Sequence, residues 1–133
     1  MIAFGAERSS LGPITRNAVA KAGITLTPDP LPEQGLFTRS DHYRFVQQGI
    51  PAVFLMTGFE ETVDGDSGQE IFLEFLSTTY HTPQDQPDLP IRYDAGAKFA
   101  YVNYLILTEI ANTEARPAWN EGDFFGELYA GED

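Results

Sequence analysis

The apolar residues of this chain recur at two kinds of spacing, and each kind predicts a different element. Apolar side chains at helical intervals predict a helix over about residues 11–22, which Ser9 and Ser10 can cap. A longer set at the same intervals predicts a helix that Asp94 caps and that ends near Asn112. These two segments are the longest predicted helices.

Two shorter segments also have helical patterns. Ser40 can cap a third helix, and Gly49 is expected to end it. Apolar residues in the segment 71–76 fit one helical face, although residues 78–80 would suit a strand equally well.

Continuous apolar runs predict strands. The chain opens on a short run at residues 1–4, and a second short run covers residues 24–27. Residues 50–56 are almost entirely apolar with Pro51 near the entry, a pattern typical of a strand covered on both faces. Because strands and helices alternate, we expect an α/β fold in which helices pack on a mixed, largely parallel sheet.

The length of 133 residues suits one compact body. We expect that body over residues 1–112, followed by an acidic, aromatic tail over residues 113–133. The aromatic residues of the tail are expected to pin part of it onto the body: Trp119, Phe124, Phe125 and Tyr129.

Charge and cysteine content narrow the classes of function. Eight Lys and Arg against 20 Asp and Glu give a net charge of −12, which argues against nucleic acid as a partner. Apolar runs are far shorter than the ~18 to 20 residues of a membrane helix, so no membrane partner is expected. The absence of cysteine excludes disulfides, thiolate metal ligands and a cysteine nucleophile. The acidic stretch between Arg44 and Arg92 is interpreted as a solvated rim.

The histidines are the candidates for chemistry. His81 lies in the segment Tyr80-His81-Thr82-Pro83-Gln84-Asp85, where Thr and Pro can hold the backbone in place. A rigid loop suits a metal ligand, because the imidazole lone pair must point along the metal bond. From the residues alone, His81 could equally be a surface or capping side chain. We expect His42 to pack or cap near a helix start.

Taken in order, three segments resemble a known family. They are Arg39-Ser40-Asp41-His42-Tyr43-Arg44-Phe45, Gly49-Ile50-Pro51-Ala52 and the Tyr80 to Asp85 segment. Together they resemble the C-terminal half of the co-catalytic zinc aminopeptidases, which include leucine-type aminopeptidases, glutamate carboxypeptidase-like enzymes and glutaminyl cyclases. The resemblance extends from about Met1 to Asn112. It implies the C-terminal portion of an α/β/α zinc-peptidase fold, with zinc as cofactor and peptide N-termini as substrate.

The resemblance also implies roles for individual residues. His81 corresponds to the last zinc ligand, and Tyr80 corresponds to the catalytic phenol that hydrogen-bonds the developing oxyanion. Arg39 corresponds to a substrate contact, and Ser40 and Asp41 correspond to a turn at the edge of the specificity pocket. Asp85 corresponds to the loop carboxylate of the motif, which either stabilises the loop or contacts a metal ligand without binding the metal itself.

Simpler interpretations of the same residues stay open. Tyr80 could be a core aromatic residue, and Arg39 could pair with Asp41 or Asp29. Ser40 and Asp41 could do no more than cap a helix.

The chain departs from the family pattern at most of the metal ligands. The family centre also needs an early His-x-Asp motif, a Glu, a further Asp and a general-base Glu, and no His-x-Asp occurs here. Glu60-Glu61 resembles the base and ligand pair, but it follows the strand that it should precede. We therefore expect an incomplete chain that is inactive alone, whose N-terminal half would lie upstream. The compartment stays open, being periplasmic or secreted if the chain belongs to a longer precursor.

Three alternatives remain. A non-catalytic module derived from this fold could bind a partner or associate with itself to cover an exposed sheet edge. A glutaminyl-cyclase-like acyltransferase would use the same scaffold with one zinc ion. The oxygen-rich residues 64–68 could hold calcium, although the EF-hand spacing fails.

Overall fold

A computed structural model describes residues 1–62 and 64–131 of the chain. Single 3₁₀ turns occur at Ala6–Arg8, Pro32–Gln34 and Leu36–Thr38. The strands and helices in chain order are β1 (Ile2–Phe4), α1 (Leu11–Lys21), α2 (Tyr43–Val46), β2 (Phe54–Met56), α3 (Gly68–Thr78), α4 (Tyr93–Ala111) and α5 (Phe124–Tyr129).

The sheet is small and antiparallel. β1 pairs with β2 so that Ala3 lies opposite Leu55. On the other side of β1, Thr27 forms a single parallel bridge with Ile2, and its N–H donates to the Met1 carbonyl at 2.9 Å. Helices do surround a sheet, but the described residues do not form the mixed, largely parallel sheet that was predicted.

Proline and local turns explain why the predicted strands are shortened. Pro51 has no N–H to give to a sheet, and the N–H of Ile50 donates instead to the Phe45 carbonyl at 3.1 Å. The predicted strand over residues 50–56 therefore becomes regular only at Phe54. The predicted strand over residues 24–27 is followed by a proline-rich loop and keeps only the Thr27 bridge.

Side chains alternate across the sheet and divide the interior into two parts. Ala3 and Leu55 face α1 and α4, where the buried residues form the helical core: Ala3, Ala6, Ala18, Val19, Leu55, Val102 and Ile106. The opposite face covers the aromatic core, whose buried members are Ile2, Phe4, Phe37, Val46 and Phe125. The sheet is thus covered on both faces, as the apolar run around β2 indicates.

α1 and α4 form the helical layer. Their sequences place apolar residues at i, i+3 and i+4, so each helix buries one stripe and leaves the rest in solvent. On α1 the stripe includes Ala18 and Val19, which are 0% and 1% exposed. On α4 it centres on Val102 and Ile106. An ion pair also joins the two helices, with the Lys21 ammonium 2.7 Å from the Glu109 carboxylate.

The segment after α4 packs back onto the body. The Trp119 indole N–H donates to the Gly49 carbonyl at 2.8 Å, and the Ala130 Cα lies 2.9 Å from where a Gly49 Cβ would be. Gly49 also has φ 77°, so glycine is needed there for both conformation and space. The tail acids Glu132 and Asp133 lie outside the described residues.

α3 is the least buried helix. The structure buries none of its residues, and its contact with the body includes the Phe72 ring, 5.0 Å from the Phe59 ring. Ile71 and Leu73 on its outer sides are 49% and 45% exposed. In the described part of the chain, no helix is both long and apolar enough to cross a membrane.

Candidate functional site

Tyr80 and His81 form a sharp turn directly after α3. The Tyr80 N–H donates to the Phe75 carbonyl at 2.9 Å, which ends the helix. His81 then takes a φ of 58°, the single positive φ of a residue other than glycine in the described ranges. This left-handed conformation costs a residue with a Cβ about 1–2 kcal/mol. The turn therefore fixes the direction of the His81 side chain at some cost in stability.

Thr82 holds the turn, as the sequence suggests. Its hydroxyl lies 2.6 Å from the Thr79 carbonyl and accepts the Gln84 N–H at 3.2 Å. Its own carbonyl accepts the Asp85 N–H at 3.1 Å. Because Pro83 follows with a fixed φ, the backbone after the imidazole is restrained.

Both side chains of the turn are open to solvent. The Tyr80 and His81 rings stack with centroids 3.8 Å apart. Tyr80 is 45% exposed and packs one side on the Phe75 ring, so it is not a buried core aromatic residue. No described residue hydrogen-bonds its hydroxyl, which leaves the phenol able to donate to a ligand. Asp85 is also exposed.

Arg39, Ser40 and Asp41 form a second turn, just before α2. The Arg39 guanidinium donates to the Gln34 carbonyl at 3.3 Å, and no described carboxylate forms an ion pair with it. The carbonyls of Ser40 and Asp41 accept the N–H groups of Tyr43 and Arg44. The expectation that the Ser40 side chain caps the helix is wrong, because the helix begins later, at Tyr43, and has no side-chain cap.

His42 lies behind this turn in an aromatic setting. Its ring stacks on Phe54 at 5.2 Å with an angle of 9° and contacts Phe37 at 5.0 Å. Both ring nitrogens are buried and lack hydrogen bonds to any described residue. Desolvation lowers the pKa of His42, with the Phe37 backbone and the Asp41 charge acting in the opposite direction. His42 therefore packs, as expected, and does not face solvent as a ligand would.

The two turns are separate within the described residues. No hydrogen bond, ion pair or aromatic contact in this part of the chain joins residues 39–41 to residues 80–85. No three His, Asp or Glu side chains of the described residues are placed to hold a metal ion together. The predicted site residues thus lie on two separate turns, and their roles in binding substrate or metal stay predictions.

Side chains of the acidic loop before α3 form a helix cap and an ion pair. The Ser67 hydroxyl accepts the Glu70 N–H at 3.3 Å and caps α3. Asp64 lies 3.0 Å from the Arg92 guanidinium. This guanidinium also hydrogen-bonds Asp94 and holds the pKa of that carboxyl at about 2. Asp94 therefore pairs with Arg92 in the first turn of α4, although the sequence indicated a cap.

Sequence reasoning missed the residues that join the tail to the first turn. The Arg8 guanidinium lies 3.0 Å from Asp123 and 4.9 Å from the centre of the Phe125 ring. Asp123 also caps α5 by accepting the Phe125 and Gly126 N–H groups. An Asp followed by two aromatic residues was the available signal for this helix start.

The sequence model of a family described as Peptidase family M28 matches residues 2–106. This match covers well over half of the 133 residues, so the chain belongs to peptidase family M28, a family of metallopeptidases. No curated protein and no solved structure matches the chain.

Proposed function

We propose that this chain is the C-terminal part of a zinc-dependent aminopeptidase of family M28 and does not hydrolyse peptides alone. The observation that carries the proposal is the Tyr80–His81 turn. It lies inside the family match and presents an open imidazole and an open phenol from a restrained backbone. A mixed sheet of the full α/β/α fold would then be completed by residues from another segment.

The described residues alone do not fit a zinc centre. A catalytic zinc site normally takes about three protein ligands, and no group of three His, Asp or Glu side chains among the described residues is placed to hold a metal ion. We infer that the remaining ligands come from another polypeptide segment. In the complete site this chain contributes an imidazole at residue 81.

Tyr80 and the Arg39 turn have roles that need no assumption about the metal. The Tyr80 hydroxyl, without a described partner, can donate a hydrogen bond to the oxyanion that develops when a peptide carbonyl is attacked. Arg39 keeps part of its guanidinium unpaired and can contact substrate. Ser40 and Asp41 would border the pocket for the N-terminal residue, and Asp85 would support the turn.

The first experiment uses the purified chain. We expect no release of p-nitroaniline from leucine p-nitroanilide with or without added Zn²⁺, and no stoichiometric zinc binding by calorimetry. His81→Ala should behave identically in both assays. Zinc-dependent hydrolysis that His81→Ala abolishes would contradict the proposal that the chain is incomplete.

The second experiment uses the chain joined to whatever polypeptide its gene encodes upstream. If that polypeptide supplies the missing ligands, the longer protein should cleave the anilide, and His81→Ala should abolish the activity. Tyr80→Phe should lower kcat by about 10²–10³, because it removes one oxyanion donor. The matched control is Tyr93→Phe, at an exposed tyrosine that the resemblance gives no role. An active longer protein that tolerates His81→Ala would show that the site lies elsewhere.

A further inference from the structure

The tail packs against the base of the Arg39 turn, which comprises residues 39–41. At that base the ring centroids of Phe37 and His42 lie 5.0 Å apart, across the turn from each other. From the tail, the Phe125 ring contacts the Phe37 ring at 5.4 Å. Phe37 and Phe125 are both buried. The tail therefore supplies part of the apolar surface on which the Arg39 turn rests.

The tail also holds α2, the helix that follows the turn, near both of its ends. The Tyr129 hydroxyl lies 3.1 Å from the hydroxyl of Tyr43, the first residue of α2. Three residues after α2 ends, the Gly49 carbonyl accepts the Trp119 indole N–H. A helix of four residues has too few internal hydrogen bonds to be stable alone. Contacts with the tail therefore help to keep α2 in place.

The same tail is fixed to the segment that follows β1. The Asn120 N–H donates to the Arg8 carbonyl at 2.9 Å, and the Asn120 side chain donates to the Glu7 carbonyl at 2.7 Å. The Asp123 carboxylate pairs with the Arg8 guanidinium. The tail thus joins the segment after β1 to α2 and restrains the two relative to each other.

The Arg39 turn has few side-chain contacts of its own. The Arg39 guanidinium has one hydrogen bond within the described residues, to the Gln34 carbonyl. No described residue hydrogen-bonds the side chain of Ser40 or Asp41. Packing at the base of the turn, to which the tail contributes, is therefore a main restraint on its conformation.

We propose that Asp123, Phe125 and Tyr129 of the tail are positioning residues, which hold the Arg39 turn in the conformation that binds the N-terminal residue of a peptide. The role in substrate binding rests on the proposed function, whereas the restraint on the turn does not. The tail lies beyond residues 2–106, which match the family model. This restraint is therefore additional to the part of the chain that the match covers.

The first test measures amide hydrogen exchange by NMR in the full chain. The N–H groups of Tyr43 and Arg44 close the turn by donating to its carbonyls, so their exchange reports its opening. Tyr129→Phe removes only the hydroxyl that contacts Tyr43. Exchange at both groups should become about 2- to 12-fold faster, the effect of losing one net hydrogen bond. Exchange at the Val102 N–H, in the middle of α4, should not change.

A second variant and a control make this test specific. Asn caps a helix as well as Asp does, so Asp123→Asn should keep α5 while it removes the ion pair with Arg8. It should speed exchange at the same two groups. Tyr104→Phe, at a tyrosine of α4 that is 61% exposed, should change nothing. Exchange at the turn that neither tail variant alters, or that rises equally at Val102, would overturn the proposal.

The functional test uses the longer protein, in which the chain is joined to the polypeptide encoded upstream. Tyr129→Phe should raise KM for leucine p-nitroanilide by about 2- to 12-fold with kcat unchanged, because the turn contacts substrate away from the reacting carbonyl. Lower stability alone would reduce the amount of active enzyme and leave KM as it is.

The outcomes separate this proposal from the proposed function. An active longer protein whose KM is the same with Tyr129→Phe would overturn the role of the tail in substrate binding. An inactive longer protein would instead contradict the proposed function, and the exchange measurement would still decide whether the tail holds the turn.

Discussion

The chain has two histidines, and they lie in opposite settings. His42 is packed between Phe54 and Phe37 with its ring nitrogens buried, whereas His81 is exposed on a restrained turn. Burial without a hydrogen bond favours the neutral imidazole of His42, because the charged form would lose its hydration. The exposed His81 retains access to ligands. The structure therefore distinguishes His42, which packs in the interior, from His81, which is a candidate ligand.

The first prediction concerns the pH dependence of stability. The pKa of His42 is lowered in the folded protein from an ordinary value of 6.5. The unfolded chain therefore binds a proton first as the pH falls. The contribution of neutral His42 to stability is complete above pH 6.5 and is lost as the pH falls through the folded pKa. The urea midpoint of the wild type should decrease between pH 7.5 and 5.5 by more than that of His42→Phe. Parallel curves for the two proteins would contradict this.

The second prediction concerns the left-handed conformation of His81. Glycine adopts a φ of 58° without a Cβ penalty, whereas alanine retains the penalty. We expect His81→Gly to have a free energy of unfolding about 1 kcal/mol higher than His81→Ala, measured by urea denaturation. The same pair of changes at Gln84, which does not have a positive φ, serves as control and should favour Ala or show little difference. A more stable His81→Ala would mean that the turn is not strained.

At the scale of elements, the sequence predicts long periodic segments well and short ones poorly. α4 was predicted almost to its ends, because apolar residues repeat over five turns of helix. β2 is shorter than predicted. The apolar run continues through the residues after Pro51, but there the backbone is irregular, so an apolar run alone does not mark where the strand begins. α5 was missed because its six residues carry too little periodicity, and only the Asp123 cap marks it.

For the candidate site, too, local sequence predicts some features and not others. The turn at residue 81 could be predicted, because Thr82 and Pro83 restrain the backbone next to it. Whether residues 39–41 approach that turn depends on tertiary packing, which local sequence does not encode. The tail contacts of Arg8 with Asp123 join residues far apart in the chain, and no local pattern indicates such a pair.

The third prediction tests whether α5 is part of the aromatic core. Phe125 is 8% exposed and contacts Phe37, Tyr43 and the Arg8 guanidinium. Truncating a buried phenylalanine removes apolar contact and leaves a cavity, so Phe125→Ala should lower the free energy of unfolding by about 3–5 kcal/mol. The neighbouring Phe124 is 64% exposed, and Phe124→Ala should cost less than about 1 kcal/mol. Similar losses in chemical denaturation would show that the tail is not a core element.

At the scale of the whole molecule, charge and apolar exposure are distributed separately. The acidic residues between Arg44 and Arg92 lie on α3 and in the loops that flank it. Arg92 itself is paired with Asp64 and Asp94. The groove between residues 50–55 and the C-terminal half of α4 is lined by no Asp, Glu, Lys or Arg. Repulsion between carboxylates therefore acts mainly over the rest of the surface. The few ion pairs of the described residues are mostly exposed and contribute little to stability.

The last prediction follows from the excess of carboxylates. Compact packing brings like charges together, so a net charge of −12 destabilises the folded state relative to the expanded chain, and salt should relieve this. Raising NaCl from 20 to 500 mM should increase the urea midpoint. Screening would also weaken the ion pairs, but exposed pairs contribute at most about 1 kcal/mol each.

A double variant, Glu74→Lys with Asp88→Lys, changes the net charge from −12 to −8, since each reversal adds two charges. It should be more stable than the wild type at 20 mM NaCl and respond less to added salt. If salt lowers the midpoint of the wild type, specific ion pairs outweigh the general repulsion, and the acidic excess is not what limits the stability of this fold.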